Sequence, residues 1–204
     1  NAYRTSHCPP SKQAIEVCRR KGILVVEEAF DGWGKAKATY DFGNFFFQEV
    51  PSDWAGLKPN GSTQLPTPGV NSDGAKLTWS DWVVQEMVNR DKNEPSVIAW
   101  SIGNEVRGVG KQPSWYNLSK YDALGVNPGG MNEYTEAVRL MGNVNAADGT
   151  RYVLMGGDQE RSVPAVTNVW GYVNQVLDGY GLNYNTAKSV DGLISRYAIG
   201  DGTL

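Results

Sequence analysis

The run Ser96-Val97-Ile98-Ala99-Trp100-Ser101-Ile102-Gly103-Asn104-Glu105 constrains the fold more than any other part of this chain. It is short, apolar and rich in β-branched residues, the pattern of a strand buried on both faces in a parallel sheet. It stops abruptly at Gly-Asn-Glu. A carboxylate in that place lies at the C-terminal end of the strand, where parallel barrels put their chemistry. The neighbouring Asn104 can hold a hydroxyl or orient the acid.

Strand and helix patterns alternate around this run. Ala2 to Thr5 reads as a strand end. Ser11 caps a helix with an apolar stripe of Ala14, Val17 and Cys18, and Gly22 stops it. Ile23 to Val26 is the next strand. Ser80 is expected to cap a helix whose core face is Val83, Val84, Met87 and Val88. A helix at 132–146 uses Tyr134, Ala137, Val138, Met141 and Val144. Arg151 to Met155 is a strand, Val166, Val169, Trp170, Val173 and Val176 repeat at helical spacing, and Leu177 to Tyr184 contains a strand. Val190, Leu193, Ile194 and Tyr197 suggest a last helix. Residues 34–78 and 106–130 are Gly/Pro-rich loops; the first carries Phe45-Phe46-Phe47, the second Trp115 and Tyr116. Such alternation gives a parallel α/β sheet with right-handed crossovers. The pattern alone admits a doubly wound sheet or part of a barrel.

Composition narrows the functional classes. A net charge of −3 argues against a nucleic-acid surface, which needs a basic face. No apolar run approaches the ~18 residues of a membrane span, and no secretory leader is visible. No strand is followed by G-x-G-x-x-G or a P-loop, which speaks against nucleotide binding. Seven Trp and ten Tyr supply aromatic faces that suit sugar rings as well as a core. Cys18 reads as a buried thiol. His7, Cys8 and Cys18 lack the fourth ligand and the spacing of a zinc site, and no metal or organic cofactor is expected.

Several blocks carry a resemblance. Asn1-Ala2-Tyr3-Arg4-Thr5-Ser6-His7, Glu27-Glu28-Ala29-Phe30-Asp31-Gly32-Trp33, Tyr40-Asp41-Phe42-Gly43, Asn93-Glu94-Pro95-Ser96-Val97-Ile98, the Trp100–Glu105 run, Thr150-Arg151-Tyr152-Val153 and Gly181-Leu182-Asn183-Tyr184 stand in order along the chain. Together they resemble the central barrel of family 2 glycoside hydrolases, in the β-galactosidase branch. Glu94 departs from the His usual before Pro-Ser-Val. The resemblance selects the barrel over the doubly wound sheet: residues 1–204 form a partial TIM (β/α)₈ barrel, about strands two to six.

The resemblance also implies a chemistry. Glu105 matches the family's acid/base and would keep its proton near neutral pH through desolvation or a neighbouring carboxylate. Asn104 matches the residue that binds the sugar 2-hydroxyl. His7, Asp158 and Asn183 are expected to meet the substrate, as is Tyr184, which resembles the residue that positions the nucleophile. Asp31 and Trp33 follow the next strand, where a ring platform is plausible, and Trp115 and Tyr116 could stack on an aglycone. Arg4 is expected to pair with barrel carboxylates such as Glu28. The family's nucleophile, a Glu in a segment like Gly-Ser-Glu-Thr, has no counterpart here. The expected ligand is a β-galactoside, and the expected behaviour of the chain alone is inactivity with self-association through open sheet edges. The alternative is a non-catalytic carbohydrate-binding or pseudo-enzyme module. An extracellular or cell-surface bacterial setting is favoured over the cytoplasm.

Overall fold

A computed structural model describes residues 1–37, 45–50, 77–127, 129–157, 169–184 and 191. Five strands, β1 (Ala2–Arg4), β2 (Leu24–Glu28), β3 (Val97–Asn104), β4 (Tyr152–Gly157) and β5 (Gly179–Leu182), alternate with four helices, α1 (Lys12–Lys21), α2 (Trp79–Asp91), α3 (Asn132–Ala147) and α4 (Val169–Val176). The strands lie in the order β1-β2-β3-β4-β5, and all pairings are parallel. A doubly wound sheet reverses its strand order at a switch point. This sheet never reverses, so each crossover steps the same way. The described residues form a half-barrel.

The helices begin and end for local reasons. Ser11 caps α1 by accepting from the Ala14 amide at 3.2 Å, and Gly22 ends it at φ 65°, a left-handed conformation that glycine adopts without a Cβ penalty. The buried face of α1 is Ile15 and Cys18: Cys18 is buried as expected, while Ala14 and Val17 are exposed and Ile15 packs in their place. Helix α2 starts at Thr78 rather than Ser80. The Thr78 hydroxyl accepts from the Asp81 amide, and the Asp81 carboxylate accepts from the Thr78 amide. This reciprocal box satisfies two free N–H groups, where Ser80 alone would satisfy one. Ser80 is buried inside the first turn instead.

Trp100, Ile102, Val84, Met87, Val88, Tyr134, Leu140, Val144 and Val153 form the core between the sheet and its helices. The 34–78 and 106–130 loops contribute to it. Phe46 is buried edge-on to Phe30, with ring centroids 5.1 Å apart, and Tyr116 and Tyr121 are buried in the second loop. A polar cluster is buried beside them. Arg139 bridges Asp81 and Glu136, all three essentially without solvent contact, and Asn143 donates to Asp81 at 2.6 Å. On the opposite face of the sheet, Leu24 and Tyr152 stay exposed. They share that face with Glu28 and Ala99 by register and alternation. Trp100, one residue out of phase, faces the helices. No described helix is long and apolar enough to cross a membrane. The last expected helix falls outside the described residues, apart from Asp191.

Candidate active site

The C-terminal ends of β1, β2, β3 and β5 converge on one polar cavity of about 490 Å³. Arg4, Ser6 and His7 reach it from β1 and the turn that follows, Asp31 and Lys37 from the loop after β2, Asn104 and Glu105 from the end of β3, and Asn183 and Tyr184 from the end of β5. Strand ends separated by up to 179 positions in sequence thus share one wall. Both Glu105 (φ 42°) and Tyr184 (φ 61°) take left-handed backbone conformations just past their strands. Such conformations are uncommon for side-chain-bearing residues and cluster at functional sites.

The side chains form one hydrogen-bonded network, and its donors and acceptors leave little choice of orientation. Arg4 can only donate, and does so to Asn104 Oδ1 at 3.0 Å and to Asn183 Oδ1 at 3.1 Å. The Asp31 carboxylate can only accept, and takes a bond from Asn104 Nδ2 at 2.9 Å. These two partners fix the Asn104 amide from opposite ends. Asn183 Nδ2 then donates to Asn104 Oδ1 at 2.9 Å and to Glu105 Oε1 at 2.8 Å. Lys37 donates to Asp31 Oδ1 at 2.6 Å and to the Asn104 carbonyl at 2.9 Å.

Below this layer, Glu28 is wholly buried. It accepts from the Ser101 hydroxyl at 2.7 Å, lies 3.6 Å from Arg4 Nε and shares a 2.6 Å hydrogen bond with His7 Nδ1. Burial raises the Glu28 carboxyl above its ordinary pKa, against the opposing effect of the His7 and Ser101 hydrogen bonds. Arg4 therefore pairs with Glu28 as expected and also orients both asparagines. It reaches them because position 156 on β4 is glycine: a Cβ there would collide with Arg4 Nη1.

Glu105 corrects an expectation. Burial pushes its carboxyl up. The hydrogen bonds from Tyr184 and Asn183, with the charges of Lys37 and Arg107, outweigh that and hold it below the ordinary glutamate range. The desolvation expected to protonate it is outvoted by donors.

Trp33 is corrected as well. It is fully buried, its indole N–H donating to the Ile102 carbonyl at 2.7 Å, so it packs beneath the cavity and presents no ring face to a ligand. Tyr116 is buried, with the Arg139 guanidinium 5.1 Å from its ring centre, and offers no aglycone platform either. Asp158 lies outside the described residues, as does the Tyr40–Gly43 block. Cys8 and Cys18 are free, Cys8 exposed and Cys18 buried. Sequence reasoning missed Lys37, Ser6 and the role of Gly156. A lysine in a Gly-rich loop carries no signal that separates it from a solvent-facing one.

The parallel half-barrel thus gathers a carboxylate, two amides and paired charges at the C-terminal ends of its strands, the end at which barrels of this kind carry their chemistry. The comparisons agree. The family "Glycosyl hydrolases family 2, TIM barrel domain" matches residues 1–173, and the chain belongs to that family. It is similar to beta-galactosidase BoGH2A of Bacteroides ovatus, 28% identical over 197 residues, covering 91% of this chain and 19% of that protein. It is also similar to a beta-glucuronidase of Sus scrofa, 31% identical over 116 residues, covering 57% of this chain and 13% of that one. Among solved structures, a glycosyl hydrolase family 2 member from Bacteroides cellulosilyticus superposes with a TM-score of 0.56 at 28% identity, over 90% of this chain and 17% of its own. The chain therefore matches a fifth or less of the length of these relatives.

Proposed function

We propose that these residues are the acid/base half of a retaining glycosidase acting on terminal β-galactosides, with Glu105 as proton donor and Asn104 as ligand to the sugar 2-hydroxyl. The observation that carries the reading is the network that fixes Asn104, Asn183 and Glu105 against one another at the strand ends. Retention requires a second carboxylate ~5–5.5 Å from the first. Among the described residues the other carboxylate on the cavity wall is Asp31, which is engaged by Lys37 and Asn104. The nucleophile is instead assigned to a barrel strand beyond β5. A carboxylate placed there would raise the Glu105 pKa by like-charge repulsion, opposing the donors that now lower it, so that Glu105 keeps the proton that the acid step delivers.

The charge balance of the cavity favours a neutral sugar over a uronic acid. The Lys37 ammonium is paired with Asp31, and Arg4 is engaged by Asn104, Asn183 and Glu28. A glucuronide carboxylate would have to compete with Asp31 for Lys37 and with the two asparagine oxygens for Arg4. The test is turnover of nitrophenyl β-galactoside and β-glucuronide by the full-length protein carrying this barrel segment. Preference for the galactoside supports the reading, and preference for the glucuronide overturns it.

For the 204-residue chain on its own, we propose inactivity and self-association. Among the described residues the sheet ends at β1 and β5 and leaves Leu24 and Tyr152 exposed, which supports this, since open edges template pairing with another chain. A monodisperse monomer in light scattering, or galactoside turnover lost on Glu105→Gln, would refute it.

A further inference from the structure

Lys37 lies outside every motif that the sequence singled out, yet it joins two parts of the active-site wall. Its ammonium donates to Asp31 Oδ1 at 2.6 Å and to the main-chain carbonyl of Asn104 at 2.9 Å. Only 16% of the Lys37 side chain is exposed, so the charge is tucked into the wall. Asp31 Oδ1 is the same atom that accepts from Asn104 Nδ2. The lysine therefore grips residue 104 twice, once through its backbone and once through the carboxylate that sets its amide.

We propose that Lys37 is a positioning residue for the glycosidase reaction: it anchors Asp31 and the end of β3 so that the Asn104 amide, and through Asn183 the Glu105 carboxylate, are presented in one fixed orientation. The inference rests on the function proposed above and adds to it a residue that acts through others. The physical need is plain. Asp31 is 39% exposed and sits at the base of a loop, so without a counter-ion its carboxylate is free to turn to solvent. Asn104 would then keep Arg4 and Asn183 on its oxygen and lose the partner on its nitrogen. An amide held at one end alone can rotate, and a misplacement on the order of 1 Å costs about 10²-fold in rate.

The experiment is a double-mutant cycle in the full-length protein, read as kcat/KM on an alkyl β-galactoside, with thermal midpoints measured alongside. Lys37→Met is expected to lower kcat/KM by about 10²-fold, most of it in kcat, because the ligand still fits but is held out of line. Asn104→Ala is expected to cost several-fold less in the Lys37→Met background than in the wild type, because interacting sites are non-additive. Lys37→Arg, which keeps a cation and donors, restores part of the loss. If Lys37→Met does not fold, Asp31→Ala is combined with Asn104→Ala in the same cycle, since it removes the acceptor that both residues use. Losses that simply multiply would overturn the proposal, as would wild-type kcat in Lys37→Met. If Asn104→Ala and Glu105→Gln singly leave turnover untouched, the failure belongs to the site assignment itself rather than to Lys37.

Discussion

Asn183→Ala tests whether the Glu105 proton is set by its hydrogen-bond donors. Asn183 Nδ2 donates to Glu105 Oε1 at 2.8 Å, and the glutamate side chain is only 13% exposed. A hydrogen bond to a charged group contributes about 1.5–3 kcal/mol, and one pKa unit corresponds to ~1.4 kcal/mol, which places the full effect at ~1–2 units. Water admitted to the gap would recover part of it, so an upward displacement of about 1 unit is expected. The sign follows from the chemistry. The donor stabilises the charged form, so its loss raises the pKa, and a general acid stays protonated to higher pH. The basic limb of the kcat/KM profile on an alkyl β-galactoside, measured with the full-length protein, should move upward by about 1 pH unit while the maximum falls, because Arg4 and Asn104 also lose Asn183. Tyr184→Phe removes a second donor to Glu105 and should move the limb in the same direction. A basic limb that stays put, or moves down, would refute the assignment of that limb to Glu105.

Two further expectations concern stability. Arg139→Met strips the counter-ion from Asp81 and Glu136, both wholly buried; leaving buried charges unpaired costs ~3–5 kcal/mol, so the urea midpoint should drop sharply, and an unchanged midpoint would contradict the buried network. Glu27 is buried beside Asp91, and desolvation, with the Asp91 charge, holds its carboxyl well above the usual glutamate range despite Arg90. The folded state then keeps a proton that the unfolded chain releases above about pH 4.5, so stability declines as pH rises from there. Glu27→Gln removes that slope: its melting temperature should gain on the wild type from pH 5 to pH 9, and a constant difference across that range would count against a protonated Glu27.

The parts of this molecule that could be read in advance are those where a local pattern has one solution. The Ser96–Glu105 run is a buried strand because it is short, β-branched and stopped by Gly-Asn-Glu, and β3 spans eight of its ten residues, Val97–Asn104. Ser11 and Gly22 bracket α1 because cap chemistry is local. The start of α2 was legible too: Thr78-Trp79-Ser80-Asp81 carries a capping-box spacing that outranks Ser80 as a simple cap. What could not be read depends on partners distant in sequence. Glu136 and Arg139 look like a solvated i,i+3 pair on α3 until Asp81 arrives from α2 to bury them. Trp33 looks like a ring platform until the Ile102 carbonyl claims its N–H. Asn104 and Glu105 stood out at the end of an apolar strand and Asn183 and Tyr184 through the family resemblance, and all four line one cavity, whereas Lys37 and Gly156 matter only through what approaches them in space.

The most direct test of the central claim is the leaving-group dependence of Glu105→Gln in the full-length protein. The amide keeps the shape and cannot deliver a proton, and general acid catalysis contributes ~10²–10⁴-fold. The variant should lose activity in that range on alkyl β-galactosides, whose leaving groups need the proton, and far less on dinitrophenyl β-galactoside, whose leaving group does not. An equal loss on both substrates, or no loss on either, would contradict the assignment of Glu105 as the proton donor.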